Sequence, residues 1–160
     1  MTAANQPIIP FLWFNDNAEE AIELYTKVFT NVEVKQTQRW GKGGPGPEGT
    51  LMTASILING QEFAMLNGGP MYQFTEAVSF VIKCDNQQEV DHYWEKLTEN
   101  GGKESQCGWL KDKFGLSWQV VPVQLMQLLK NEDPQKSQRV MQAMMQMKKI
   151  DIKGLEEAAS

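Results

Sequence analysis

One pattern of residues occurs twice in this chain, and it limits the fold more than any other feature. Asn17, Glu20 and Tyr25 return as Asn86, Glu89 and Trp94, each 69 positions later. Both trios follow an apolar segment and open a stretch of helical periodicity. A duplicated segment of this size is one supersecondary unit that buries its apolar surface poorly alone, so the two copies are expected to fold together.

In the first copy, residues 7–14 are apolar throughout and read as a buried strand. Asn15, Asp16 and Asn17 supply capping side chains, and Asn17 with Glu20 three residues later resembles a capping box for a helix over 18–29. Ile22, Tyr25, Val28 and Phe29 share a face of that helix. A strand at 32–39 is followed by a loop, 41–49, that holds five Gly and two Pro. Strands at 50–58 and 61–66 then flank Asn59-Gly60, a strong hairpin signal. The second copy has a strand at 78–83 and a helix at 87–100, with Val90, Tyr93, Trp94 and Leu97 inward and Gly101-Gly102 as the stop. Short strands at 104–107 and 109–113 and a turn at Phe114-Gly115 lead to a strand at 116–121. Gly60 and Gly115 are only 55 apart because the second copy lacks the long loop.

The expectation is a single α+β domain over 1–160 made of two βαβββ modules, at about 7–67 and 77–121. They would form an eight-stranded mixed sheet around a cleft, followed by C-terminal helices over 122–160. In that tail Asp133 caps a helix begun by Pro134 and running to Lys148. Val140, Met144 and Met147 share its face beside Met141 and Met145, and this stripe reads as packing or as a subunit contact.

Charge excludes some functions. The net charge is −5, from 15 basic and 20 acidic side chains, and the densest basic run is Lys148-Lys149. A nucleic-acid partner needs a basic stripe to neutralise phosphates, so none is expected. Residues 1–6 lack the basic and apolar runs of a secretory leader, and no run nears the roughly 20 apolar residues of a membrane span. Cys84 and Cys107 are expected as reduced thiols in a cytoplasmic protein.

Catalytic constellations are scarce. His92 is the sole histidine. With Glu89 and Glu95 three residues to either side it could hold a cation weakly, although an exposed helix face with local charge pairs explains it better. One His cannot furnish a catalytic zinc or iron site, so no metal site is expected. Cys107, with Lys103, Lys111 and Lys113 near in sequence, is the one candidate reactive thiol beside the alternative of an inert one. The loop at 41–49 runs into a strand, and its two Pro lack N–H groups, which argues against a phosphate cradle. It reads as a flap over the cleft with Arg39 and Trp40 at its base.

Several segments together carry a family resemblance: Ile9-Pro10-Phe11-Leu12-Trp13-Phe14, Ala18-Glu19-Glu20-Ala21, Leu66-Asn67-Gly68-Gly69-Pro70, Cys107-Gly108-Trp109-Leu110-Lys111-Asp112 and Phe114-Gly115-Leu116-Ser117-Trp118-Gln119. They resemble the 3-demethylubiquinone-9 3-methyltransferase-like (PhnB-like) domain. That domain is a branch of the glyoxalase/bleomycin-resistance/extradiol-dioxygenase, or vicinal oxygen chelate, superfamily. The resemblance implies paired βαβββ modules and a homodimer. It also implies metal-ligand positions at Pro10, about Met65, Ser79 and Gln119, with a further histidine position at Thr53. Pro and Met are useless or poor ligands for hard or borderline cations, and Ser and Gln are weak ones. The name implies a methyltransferase, but the Gly-rich strand-to-helix turn that typically holds an adenosine-bearing methyl donor is not found.

The leading expectation is a cytoplasmic homodimer that binds a small apolar or aromatic molecule, needs no metal or other cofactor, and contacts neither nucleic acid nor membrane. Alternation places Leu12, Thr53, Ser55, Ser79, Gln119 and Trp40 toward the ligand. The alternatives are an enzyme of the same fold (methyltransferase, or glyoxalase-type lyase or isomerase) and a homodimeric interaction module without catalysis.

Overall fold

A computed structural model of the chain describes residues 7–160, so the expectation about a leader at 1–6 lies outside the described residues. The chain divides into two compact units, the first ending at Gln73 and the second beginning at Phe74.

The first unit contains β1 (Phe11–Phe14), α1 (Ala18–Val28), β2 (Val32–Arg39), β3 (Leu51–Ile58) and β4 (Gln61–Asn67). Its four-stranded sheet has the order β1-β4-β3-β2, with β1 parallel to β4 and the other pairs antiparallel. Asn59 and Gly60, at φ 48° and 84°, form the left-handed turn that joins β3 to β4. Leu12, Met65 and Ala54 are ladder partners, so they share one face, with Phe14, Phe63 and Ile56 beside them. All six are buried under α1, whose Ala18, Ala21, Tyr25 and Val28 are buried in turn. Phe11, Trp13, Thr53, Ser55, Ala64 and Leu66 lie on the other face.

The expected cap at Asn17 does not form, and its side chain makes no capping bond. Asn67, at the end of β4, takes its place. Its Oδ1 accepts from the Ala18 N–H at 2.9 Å while its Nδ2 donates to the Leu51 carbonyl at 3.2 Å. A tertiary acceptor thus meets the N–H of the first helical residue, one of the orphan donors at the start of α1.

The second unit repeats the topology. β5 (Ser79–Cys84), α2 (Gln87–Thr98), β6 (Lys103–Glu104), β7 (Trp109–Lys111) and β8 (Ser117–Pro122) give the order β5-β8-β7-β6, and a single 3₁₀ turn, Glu99–Gly101, follows α2. Here the Asn86 cap forms, and Glu89 reaches back to the residue before it. Asn86 accepts from the Glu89 N–H at 3.0 Å, and the Glu89 carboxylate accepts from the Asp85 N–H at 2.8 Å. Val90, Trp94 and Leu97 are buried with Ile82, Leu110, Trp118 and Val120 on the face that α2 covers.

The eight strands therefore form two four-stranded mixed sheets rather than the single eight-stranded sheet expected from the duplication. Every ladder closes within its own copy.

The tail comprises α3 (Val123–Leu129), α4 (Pro134–Met145) and α5 (Ile152–Ala159) and belongs to the second unit. Asp133 caps α4 by accepting from the Gln135 N–H at 2.9 Å. α4 ends at Met145 rather than Lys148, and the carbonyls of Met147 and Lys148 instead accept from the N–H groups of Cys107 and Gly108, both at 2.8 Å. Val140, Leu125, Ile150 and Leu155 make a small core joined by Met144 and Met147, whereas Met141 and Met145 stay exposed. Among the described residues no helix is long and apolar enough to cross a membrane.

Candidate functional site

In the first unit, the open face of the sheet and the Gly/Pro loop border a pocket of about 740 Å³. Trp40, Met52, Thr53, Leu66 and Gly68 are among its lining residues. The loop folds onto the Trp40 indole rather than standing away from it. A Cβ built on Gly46 would lie 2.3 Å from that ring, and one on Gly44 2.9 Å from it. These positions therefore need glycine to let the backbone close on the aromatic face. Bonds from the Gly49 N–H to the Trp40 carbonyl at 2.8 Å and from the Thr50 hydroxyl to the Pro47 carbonyl at 2.7 Å fasten the loop. Arg39 is committed to the Glu19 carboxylate at 2.6 Å and the Gly49 carbonyl at 3.1 Å, so it braces the loop.

A second tryptophan of the first unit is seated by the same device. Trp13 packs on Gly68, where a Cβ would lie 2.3 Å from the ring. Its indole N–H donates to the Gly69 carbonyl at 2.9 Å, and Tyr72 meets the ring edge-on with centroids 4.9 Å apart. Thr53 donates to Gln38 Oε1 at 3.1 Å, and Ser55 donates to Glu62 Oε1 at 2.5 Å.

The structure thus gathers Trp40 and Thr53 at one pocket and puts Ser55 on the same face. Leu12 does not join them: it is 6% exposed and sits on the α1-covered face beside Met65. Residues 7–14 are apolar throughout, so no polar partner marked which face each side chain takes. Leu66, Met52 and Asn67, which the sequence reading did not single out for the site, also line the pocket. The signal for Leu66 is its register opposite Trp13 and Thr53.

In the second unit, Ser79 and Gln119 are joined by a bond from Gln119 Nε2 to Ser79 Oγ at 2.9 Å. Cys107 adopts φ 58° and is half-buried, with its N–H held by the Met147 carbonyl. The residue is thus bound beneath the tail. His92 is exposed on α2 with its ring 5.1 Å from that of Tyr93. Cys84 is fully buried, and burial, helped by Glu89 and Asp85, pushes its thiol up to about 12.

The four corners that related folds use for metal do not fit a cation. Met65 is 0% exposed among apolar side chains, Pro10 has no side-chain donor atom, and Ser79 and Gln119, weak neutral ligands, are hydrogen-bonded to each other. Among the described residues no three His, Cys, Asp or Glu side chains converge as metal ligands. An adenosine-bearing methyl donor fits no better. The Gly-rich loop leads into β3, and the strand-to-helix turns before α1 and α2, Asn15 to Asn17 and Asp85 to Asn86, contain no glycine.

The model of the family described as 3-demethylubiquinone-9 3-methyltransferase matches residues 6–121. Among solved structures, a PhnB protein from Bacillus cereus carrying the same family description is 35% identical. The match covers 73% of this chain and 99% of that one, with a TM-score of 0.68. Protein PA1353 from Pseudomonas aeruginosa matches at 21% identity over 72% of this chain and 96% of its own, with a TM-score of 0.60. The fosfomycin resistance protein FosX from Listeria monocytogenes matches at 16% identity over 82% of this chain and 100% of its own, with a TM-score of 0.57. At those identities the last two share the fold alone. No curated protein matches the chain.

Proposed function

The chain belongs to the 3-demethylubiquinone-9 3-methyltransferase family, within the glyoxalase/bleomycin-resistance/dioxygenase fold, and from that premise we propose that it binds a small apolar or aromatic molecule in the Trp40 pocket without requiring a metal. The observation that carries this reading is the Trp40 indole, held flat by Gly44 and Gly46 beside a pocket of about 740 Å³. That volume lies within the usual range for small-molecule sites. Trp40, Leu66 and Met52 supply apolar contact, and Thr53 supplies a polar group to orient the ligand. The pair Ser79–Gln119 offers a comparable polar handle in the second unit. The protein acts as a cytoplasmic homodimer in this reading. Support comes from Phe11, Met71 and Tyr72, large apolar side chains exposed at 61%, 74% and 60%.

A thermal-shift screen with apolar and aromatic compounds tests the proposal, because a ligand selective for the folded state raises its stability. Stabilising compounds should lose their effect in Trp40→Ala while that variant melts cooperatively. A broad library with no stabiliser, or stabilisers indifferent to Trp40→Ala, would overturn it.

The family description itself favours a second reading, an enzyme of the same fold acting as a methyltransferase or as a glyoxalase-type lyase or isomerase. Equilibrium dialysis with nickel, zinc, manganese and iron separates the two. Stoichiometric binding that disappears in Gln119→Ala selects the metalloenzyme.

A further inference from the structure

A row of cations and hydroxyls crosses the second sheet. Lys103 on β6 is the ladder partner of Lys111 on β7, Lys111 is the partner of Ser117 on β8, and Ser117 is the partner of Ser79 on β5. Ladder partners place their side chains on the same face, so the four form one line across the strands. Two lysines directly opposite each other repel. Lys111 pairs with Glu76, but Lys103 forms no ion pair among the described residues. The nearby Glu104 is engaged elsewhere, with Trp94 Nε1 at 2.8 Å and Lys148 at 3.7 Å.

The second observation is independent of charge. Ser117 is 1% exposed and its Oγ has no hydrogen-bond partner, although it borders a recess of about 200 Å³ lined also by Lys103, Lys111 and Trp109 and, among others, by Glu76 and Glu104. A buried hydroxyl without a partner costs free energy comparable to a lost hydrogen bond, and such groups cluster where something binds. Farther along the row, Ser79 accepts from Gln119 and so keeps its own O–H to donate. Trp109, in register with Gln119 one row over, adds an aromatic surface on the same face.

We propose that this row is an oxyanion site in the second unit. Lys103 and Lys111 would hold a carboxylate or phosphoryl head group, Ser117 would donate a hydrogen bond to it, and Trp109 would contact its apolar body. The site lies wholly in the second unit and does not depend on the Trp40 pocket. Glu76 acts as a built-in competitor. Hydrogen bonding to Lys111 holds its carboxyl below the usual carboxylate range, so it stays ionised and occupies the lysine until a ligand displaces it.

Amide-resolved NMR titrations of the full chain with phenylphosphonate and with benzoate, in low-salt buffer, test the site. At least one anion should shift the Lys103, Lys111 and Ser117 amides saturably, and the stronger of the two identifies the head-group chemistry. Lys111→Met should weaken binding about tenfold or more, and Lys103→Met, an exposed edge change, about threefold, as expected for charge-assisted contacts. Glu76→Gln should tighten it about threefold by removing the competing charge, and added salt should weaken it. Trp40→Ala should leave it unchanged. The proposal is overturned if neither anion gives saturable shifts at these amides. It is equally overturned if both lysine variants bind as the parent does, or if Glu76→Gln binds more weakly.

Discussion

Asp112 Oδ2 accepts a hydrogen bond from Trp118 Nε1 at 3.0 Å. The other oxygen of the same carboxylate accepts from the Phe114 and Leu116 N–H groups at 2.9 and 3.1 Å. One side chain, 2% exposed, thereby fixes the β7–β8 turn and anchors Trp118 in the second core. It also sets the register that brings Lys111 opposite Ser117 and Trp109 opposite Gln119. These three bonds go to groups that build the turn and core.

Removing that carboxylate should therefore cost stability more than any surface acid does. Asp112→Ala leaves two backbone donors and an indole N–H unpaired in a buried place, and is expected to lower the unfolding free energy by about 3 kcal/mol. Urea denaturation measures it. A loss below about 0.5 kcal/mol, typical of surface changes, would contradict the assignment.

The loop over the first pocket can be tested through glycine. In Gly46→Ala the new methyl has no room beside the Trp40 ring, so the indole must leave its place. The Trp40 indole N–H resonance should shift, and affinity for pocket ligands should fall by about tenfold while cooperative unfolding persists. An unmoved resonance would show that the ring does not pack on this loop.

Cys84 predicts an alkaline weakness. Its thiol titrates at about 12 in the folded chain, against an ordinary value of 9.0. The folded state therefore holds a proton that the unfolded state releases between those values. The stability involved is fully present below pH 9 and is lost as pH rises toward 12. Cys84→Ser, which has no titration in this range, should flatten that part of the stability profile. A thiol reagent near pH 8 should spare Cys84 in the native chain and modify it after denaturation.

The tail is tied to the second unit by Gln87, whose Nε2 donates to the Ile150 carbonyl at 3.0 Å and whose Oε1 accepts from the Ile152 N–H at 2.9 Å. Gln87→Ala should raise hydrogen exchange at Ile152 and destabilise the tail by about 1–2 kcal/mol, while exchange in the first unit stays the same. Uniform change across both units would argue against a local tie.

Much of the architecture was readable from residue order. The Asn86 cap of α2, the Asn59-Gly60 turn and the Asp133-Pro134 helix start all depend on neighbours within four positions, where propensity and spacing are informative. The failures have distances in common. Asn17 does not cap α1, and the N–H of the first helical residue is instead met by Asn67, far away in sequence. α4 ends before Lys148, and the carbonyls of Met147 and Lys148 accept from Cys107 and Gly108 in the β6–β7 turn, far away in sequence. For the site, Trp40 and Thr53 could be named from alternation, yet Leu12 could not be assigned a face in a segment with no polar residue to mark the period.

The sequence alone determined that two strand–helix–strand units would exist, which helices they carry, and that the usual metal corners hold Pro10, Met65, Ser79 and Gln119. Those facts follow from side-chain chemistry and short-range geometry. Only the tertiary structure decided that the strands close as two separate sheets, that Leu12 takes the helix-covered face and Trp13 the other, and that Lys103, Lys111, Ser117 and Ser79 align. Strand register sets each of these, and register is fixed by hydrogen-bond pairing between segments far apart in the chain, where a one-residue slip reverses every side chain.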